Sequence, residues 1–269
     1  MSISANCTTT TTMTTTIVSC FIKLYEADPF DFKTPEWRVE QFRKIARTGI
    51  PICLYGCSHT MPFLLNLLEE FPNNIKIMSA DLAENLIIYK HCISSKKALP
   101  KNRNIAKDTP QYMALMNSKI EFVYDTMQKN YWGTDNFAWL DFSSAYLFTG
   151  GDADAVCVFD KLREICSSSL PKNTLYIPGC WDGGGSSYND SINWRFCGTF
   201  FIGDAAAISN FYHDYLYYFP LFLECFNTLV WETNFWAWLE SYIIKNGYIN
   251  YIQWYNADHN NSLIINFSA

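Results

Sequence analysis

Short apolar segments alternate with longer helix-forming ones along most of this chain. Residues rich in β-branched and aromatic side chains predict buried strands at 16–22, 50–55, 75–79, 137–141 and 174–177. Prolines at helix starts and apolar stripes of helical spacing predict helices between them, chiefly at 31–47, 110–129 and 153–166. Strands that alternate with helices form a mainly parallel sheet covered on both faces. The expected fold class is therefore α/β.

The beginning of the chain lacks this pattern. Residues 8–16 are a threonine tract interrupted only by Met13. We therefore predict a disordered Thr-rich segment over 1–15 and a single domain over 16–269. Because 49% of the 269 residues are hydrophobic, that domain can bury a large core.

Charge and cysteine usage argue against several kinds of protein. A net charge of -6 does not suit a nucleic-acid partner, since phosphate backbones are bound by clustered Lys and Arg and only 96–107 is basic. The most apolar long stretch, 211–238, is repeatedly interrupted by polar residues, so no transmembrane segment is expected. The cysteines are scattered within apolar runs, as in reduced proteins, and no signal sequence is recognisable. We predict a cytoplasmic protein.

An acidic residue closes one of the predicted strands. Asp141 ends the strand 137–141, and Ser143 follows two residues later. Successive side chains of an extended chain point to opposite sides, so both oxygen groups are directed to the same edge. Such oxygen ligands suit a hard divalent cation, which can neutralise the phosphate groups of a bound substrate. An Asp at a strand end is more often a turn or helix cap, so this pattern alone does not decide.

Several blocks of the sequence resemble the HtrL-type family of glycosyltransferases. These blocks are 112–119, 120–123, 136–142, 194–203, 231–240 and 257–262. The resemblance extends from Tyr112 to the C-terminus and is loose before it. It implies a GT-A-like, Rossmann-type, mostly parallel sheet flanked by helices, and an enzyme that transfers a sugar from a nucleotide-diphosphate donor.

The resemblance also implies roles for residues far apart in the chain. Asp141 and Ser143 would stand at the Asp-X-Asp metal motif of GT-A enzymes, with His259 as a late metal ligand for Mn²⁺ or Mg²⁺. Glu232, at a predicted helix start, would be the catalytic base that deprotonates the acceptor hydroxyl. A hydroxyl is a poorer metal ligand than a carboxylate, so Ser143 puts the metal affinity in doubt. Glu232 could instead be a first-turn acid favoured by the helix dipole, and His259 a solvated side chain.

Three charged residues are candidates for contacts with the donor. Lys119 and Arg195 are the cations expected near its phosphates, although each could be a surface or snorkelling residue. Asp81 follows the third predicted strand and could contact uridine or act as a reserve metal ligand, or simply cap a helix.

Two glycines and a tryptophan complete the candidate donor site. Gly198 and Gly203 bound the glycine loop implied by the resemblance, where the backbone could approach a ligand closely, although glycines in strands also mark bulges. Trp181 lies in a Gly-rich stretch and could stack on a sugar.

The leading hypothesis is a metal-dependent transferase that moves a sugar from a UDP-sugar to a hydroxyl of a glycan or another acceptor, with a homodimer as an assembly that the sequence leaves open. The alternative is a catalytically weak or inactive relative that keeps the fold as a sugar- or nucleotide-binding module, which Ser143 makes credible. Serine hydrolase and dinucleotide oxidoreductase functions are not favoured, because neither a Gly-X-Ser-X-Gly nor a Gly-X-Gly-X-X-Gly motif stands where it would be needed.

Overall fold

A central β-sheet organises the computed structural model, which describes residues 12–25, 33–80, 86–148, 152–180, 187–257 and 262–269. Within these ranges seven strands form one sheet in the order β3-β2-β1-β4-β6-β5-β7. The strands are β1 Thr15–Phe21, β2 Ile52–Gly56, β3 Ile75–Ser79, β4 Asn136–Leu140, β5 Leu175–Gly179, β6 Phe200–Asp204 and β7 Ile252–Asn256.

One strand runs against the others. β1 pairs in parallel with β2 and β4, β2 with β3, and β5 with β7, whereas β6 is antiparallel to both β4 and β5. The predicted α/β class with a mostly parallel sheet flanked by helices is confirmed. Because β6 is reversed, its beginning lies at the carboxyl edge of the other strands, where Phe200 is opposite Leu140.

Helices cover both faces of this sheet. They are α1 Pro35–Ala46, α2 Met61–Glu70, α3 Ile87–Ser95, α4 Pro110–Asn117, α5 Lys119–Lys129, α6 Asp152–Ser167, α7 Ala205–Phe226 and α8 Glu232–Leu239. A 3₁₀ helix at Ser144–Phe148 follows β4, and a π turn at Glu240–Ile244 follows α8. Apolar side chains of α1, α2 and α6 bury one face, and those of α3, α4, α5, α7 and α8 bury the other. Among the described residues no helix is both long and apolar enough to cross a bilayer.

The single helix predicted over 110–129 is wrong, because it is divided at Ser118. Thr109 caps the first part by accepting a hydrogen bond from the backbone N–H of Tyr112, with Pro110 at the first helical position. Ser118 bonds through its hydroxyl to the carbonyl of Ala114, which competes with continued helix formation. The second part therefore starts afresh, and Lys119 becomes the first residue of α5.

The beginning of α5 also supports a neighbouring helix. Leu86 precedes α3 and provides no side-chain cap. Glu121 reaches across instead, and its carboxylate accepts hydrogen bonds from the backbone N–H groups of Ile87 and Ile88 at 2.7 and 2.8 Å. Two of the N–H groups that a helix start leaves without a partner are thereby satisfied.

The described part of the chain begins before residue 16, at residue 12. The backbone N–H of Thr14 donates to the carbonyl of Cys166, and its hydroxyl donates to the carbonyl of Ser168. Thr15 is already part of β1. The rest of the predicted disordered segment, residues 1–11, lies outside the described residues.

Candidate active site

The candidate site lies at the carboxyl edge of the sheet, where β4 ends and β6 begins. The backbone N–H of Asp141 donates to the carbonyl of Thr199 at 3.0 Å, so the end of β4 is tied to the turn before β6. In open α/β sheets, ligands bind outside the carboxyl ends of the strands. Asp141 and the turn at Gly198 and Thr199 therefore occupy the edge at which a ligand site is expected.

Lys119 joins four parts of the fold at this edge. Its ammonium nitrogen lies 2.8 Å from Oε1 of Glu232, 3.0 Å from Oδ1 of Asp141 and 2.8 Å from the carbonyl oxygen of Gly198. The side chains of Lys119 and Glu232 are 3% and 6% exposed, whereas that of Asp141 is 36% exposed. The start of α5, the end of β4, the turn before β6 and the start of α8 thus meet at one buried cation.

The two carboxylates keep this cation charged. Burial by itself would lower the pKa of Lys119, but the carboxylates of Asp141 and Glu232 outweigh burial and hold that pKa above its ordinary value. An ammonium has three N–H donors, and its three acceptors here match that number. Lys119 therefore connects protein groups to one another, and it has no further N–H with which to hold a phosphate.

Gly198 is required by the position of Glu232. A Cβ atom at residue 198 would stand 2.1 Å from Oε1 and 2.9 Å from Cδ of Glu232. No side chain fits there unless the carboxylate leaves Lys119. Gly198 thus allows the close approach that the sequence predicts for it, and the group that approaches is a side chain of the protein itself.

Two aromatic residues that the sequence did not assign to the site adjoin these carboxylates. The indole N–H of Trp139 donates to Oδ1 of Asp141 at 2.7 Å, and Lys119 lies 5.7 Å from the Trp139 ring centroid. Tyr112 has its pKa raised well above the ordinary value by burial and by the nearby charges of Glu232 and Asp141. The Trp139 contact has a sequence signal, because residues two apart in a strand share a side.

Arg195 is engaged elsewhere. Its Nε and Nη2 atoms donate to the two carboxylate oxygens of Glu240 at 2.9 and 2.8 Å, a bidentate ion pair. Its Nη1 atom lies against the backbone at the end of β5, where a Cβ on Gly179 would stand 2.8 Å away. The contacts of Arg195 with Glu240 and Gly179 fasten the segment after β5 to the end of α8.

Gly203 lies inside the sheet and away from the carboxyl edge. It is opposite Phe137, three residues along β6 from Phe200, which corresponds to about 10 Å at roughly 3.3 Å per residue. A Cβ there would stand 3.0 Å from Leu175 Cδ1 and 3.1 Å from the Thr174 carbonyl oxygen. Close packing with β5 explains this glycine.

Ser143 points towards α1. Its hydroxyl oxygen accepts a hydrogen bond from Nη1 of Arg38 at 3.4 Å. A guanidinium beside a hydroxyl repels a divalent cation, so this pair is not an arrangement that favours metal binding. Asp141 likewise already has the ammonium of Lys119 against Oδ1.

The described residues do not by themselves fit a divalent metal. Within the described ranges, no three His, Cys, Asp or Glu side chains are grouped so that they could hold a metal ion. Three of the predicted site residues, Asp81, Trp181 and His259, lie outside the described residues. Their roles stay predictions.

Comparison with solved structures gives distant likenesses, among them the three that follow. No protein-family model and no curated protein sequence matches the chain. Mouse xyloside xylosyltransferase 1 is similar in structure, at 10% identity and a TM-score of 0.43 over 84% of this chain and 81% of the other. A 4-diphosphocytidyl-2C-methyl-D-erythritol synthase from Anaerococcus prevotii is 10% identical, with a TM-score of 0.41 over 93% of this chain and 89% of the other. The inositol-1-phosphate CTP transferase of T. maritima is 9% identical, with a TM-score of 0.36 over 81% of this chain and 85% of the other.

The resemblance to the HtrL-type family is not confirmed by these comparisons and stays a prediction. A conclusion about the function of this chain therefore has to rest on its own residues.

Proposed function

We propose that this protein is a glycosyltransferase that moves a sugar from a nucleotide-diphosphate sugar, such as a UDP-sugar, to an acceptor hydroxyl. The observation that carries the proposal is the meeting of Asp141 and Glu232 on Lys119 at the carboxyl edge of the sheet. These residues are far apart in the sequence and come from three elements. A site for sugar transfer needs such acidic groups within one small region.

In the proposed reaction each carboxylate has its own task. Asp141 is the more exposed of the two and orients the donor at the end of β4. Glu232 receives the proton of the acceptor hydroxyl through the oxygen that does not face Lys119. The acceptor oxygen bonds to the sugar carbon while the bond from that carbon to the diphosphate breaks, which is a direct displacement with inversion. Lys119 keeps both carboxylates in place throughout.

Metal dependence is a separate proposal. A bound Mn²⁺ or Mg²⁺ would supply neutralisation of the departing diphosphate. The described residues offer only Asp141 at a suitable place, so such an ion would also need His259 and oxygens of the donor. Release of nucleoside diphosphate with and without added Mn²⁺ measures this requirement directly.

The two carboxylates are tested by substitution. For Glu232→Gln we expect turnover of a UDP-sugar to fall by about 10²- to 10⁴-fold, the usual contribution of a general base, with donor affinity changed little. For Asp141→Ala we expect donor binding itself to be lost. Glu164→Gln is the matched control, since Glu164 is exposed and pairs only with Lys161 among the contacts seen in the described part of the chain. Full turnover by Glu232→Gln would remove Glu232 as the base, and absence of turnover on every UDP-sugar would refute the proposed activity.

One observation favours the alternative, a binding module without catalysis. Glu232 is 95% buried and its Oε1 is already occupied by Lys119, as expected of a structural ion pair. A chain that binds UDP but releases none from any UDP-sugar would establish this second function.

A further inference from the structure

An open cavity of about 550 Å³ lies beside β7, the last strand in the order of the sheet. Its wall is formed by residues 253–256 of β7 together with Tyr176, Asn266 and Ser268. Each of these side chains has a polar atom, and none of them carries a charge. The volume lies within the range of roughly 300 to 1,000 Å³ that is typical of ligand sites. The cavity therefore suits an uncharged ligand with many hydrogen-bonding groups.

Tyr176 is the most buried residue of this wall. It is 3% exposed, and burial raises the pKa of its phenol. Its hydroxyl has no hydrogen-bond partner in the described part of the chain. Because the hydroxyl of a buried tyrosine usually has a partner, this one points to a group that enters from the cavity.

The neighbours of Tyr176 on β7 add further donors and acceptors. Gln253 is opposite Tyr176 in the ladder between β5 and β7, so the two side chains lie next to each other on one face. The bonds from β7 to β5 involve Tyr251 and Ala257, and successive residues of a strand direct their backbone groups to opposite sides. Trp254 therefore turns its N–H and its carbonyl away from β5, to the edge where the cavity lies.

The last described segment, 262–269, holds the other wall in place. The ring of Phe267 meets the rings of Tyr176 and Tyr255 edge-on, with centroids 5.3 and 5.4 Å apart. Asn266 and Ser268 flank Phe267 in the chain and are both exposed. Neither side chain has a hydrogen-bond partner among the described residues. An amide and a hydroxyl are thus presented on either side of a packed aromatic ring.

We propose that this cavity is a binding site for an uncharged saccharide, separate from the candidate active site. The hydroxyl groups of a saccharide are both donors and acceptors, and amide and hydroxyl side chains pair with either role. A charged ligand would find no counter-charge, because no residue of the wall is ionised. Tyr176 and Gln253 are the residues on which binding should depend most, since they lie side by side in the wall.

The cavity is remote from the meeting point of Lys119, Asp141 and Glu232. β7 is three strands from β4 in the sheet, which corresponds to about 14 Å at roughly 4.8 Å per strand. Tyr176 packs with the apolar side chains of one face of the sheet, whereas Trp139 beside Asp141 packs with those of the other. The inference therefore goes beyond the proposed function and does not require it.

Saturation-transfer NMR with maltose, cellobiose, lactose and chitobiose tests the proposal, with affinities measured by titration. We expect the unchanged protein to bind at least one of these disaccharides. Tyr176→Phe removes only a hydroxyl without a protein partner, so its circular dichroism should be unchanged while the affinity for that disaccharide falls about fivefold or more. Gln253→Ala should lower the affinity about threefold or more.

Tyr217→Phe is the matched control. Tyr217 is an exposed tyrosine on α7, outside the wall of the cavity, and its loss of a hydroxyl should leave disaccharide binding unchanged. Absence of binding by all of the disaccharides would overturn the proposal. Unchanged affinity in both Tyr176→Phe and Gln253→Ala would overturn it as well.

An extended peptide is the other occupant that the edge of a sheet allows. An uncharged peptide of alternating threonine and valine is the probe for it. If this peptide binds with an affinity that Gln253→Ala lowers, and no disaccharide binds, the edge takes peptides and the proposal is wrong.

The result is separable from the proposed transferase activity. A protein that binds a disaccharide through Tyr176 yet turns over no nucleotide sugar would keep this site and lose the transferase function. A disaccharide whose affinity depends on Glu232 and not on Tyr176 would be an acceptor in the candidate active site. That outcome would support the transferase function and overturn the separate site.

Discussion

Two glutamates are buried on the same face of the sheet, and their surroundings differ in kind. Glu232 faces a full positive charge, the ammonium of Lys119, which it shares with Asp141. Glu121 is instead held by backbone N–H groups at the start of α3, with the charge of Lys90 as a smaller contribution. Partial charges are enough to hold one carboxylate that caps a helix, whereas two carboxylates side by side need a whole cation. Burying the charges at the end of β4 therefore requires a larger desolvation free energy than burying the single carboxylate of a helix cap.

The pKa of Glu121 shows how far its neighbours compensate for burial of the carboxylate. Burial raises its pKa to about 7, although the N–H groups of Ile87, Ile88 and Tyr89 act in the opposite direction. The dipoles of a helix start thus compensate only part of the loss of water around this carboxylate.

Of the changes that test this difference, removal of the Lys119 ammonium should lower the stability most. Lys119→Met leaves Glu232 buried without a counter-charge, and we expect the free energy of unfolding to fall by about 3 to 5 kcal/mol. Urea unfolding measures the loss. Lys161→Met is the control, because its exposed pair with Glu164 should contribute less than about 0.5 kcal/mol. A loss below about 1 kcal/mol for Lys119→Met would mean that the ammonium does not neutralise a buried carboxylate.

The contribution of the other glutamate, Glu121, to the free energy of unfolding should depend on pH. Because the folded-state pKa of Glu121 is about 7 and its ordinary value is 4.5, the folded protein binds this proton more tightly than the unfolded chain does. Its contribution to stability is complete below pH 4.5 and is lost as the pH rises to about 7. The loss reaches about 3 kcal/mol, since one pKa unit corresponds to about 1.4 kcal/mol.

Glu121→Gln isolates this proton. The unfolding free energy of the unchanged protein minus that of this variant should fall by about 3 kcal/mol from pH 4.5 to 7, because only the unchanged protein titrates at this position. A difference that stays constant over that interval would show that Glu121 titrates in the same way in both states.

A small steric change should sharpen the description of Glu232. Gly198→Ala places a methyl group 2.1 Å from Oε1 of Glu232, and we expect a cost of about 1 to 3 kcal/mol, as for other overpacked sites. In a Glu232→Ala background the same change should cost almost nothing. A double-mutant cycle with urea unfolding measures the coupling, and additive costs would place the strain elsewhere.

Much of the fold follows from local signals. The apolar runs at 50–55 and 75–79 predict β2 and β3 to within two residues, and Thr109 with Pro110 marks the start of α4. The reversed direction of β6 has no such signal, since strand direction depends on pairing with β4 more than fifty residues earlier. The break at Ser118 depends on a hydrogen bond that a helical apolar stripe does not reveal.

The sequence predicts which residues belong to the candidate site, but it does not predict which of them contact one another. Asp141 and Glu232 follow from a strand end, a helix start and a family resemblance. The sequence does not show that Lys119 is saturated, because its partners lie 79 and 113 residues away. The same reason applies to Arg195, whose partner Glu240 is 45 residues away.

The distance between Lys119 and Glu232 along the chain has a consequence for synthesis. A growing polypeptide that has made β4 but not yet α8 carries Lys119 with only one of its two carboxylates, and before residue 198 is made it also lacks the Gly198 carbonyl. The start of helix α5 therefore lacks one of its ion pairs until residue 232 has been made. The candidate site is therefore complete only after residue 232 has been made, and a chain that ended before it would lack the second counter-charge of its buried lysine.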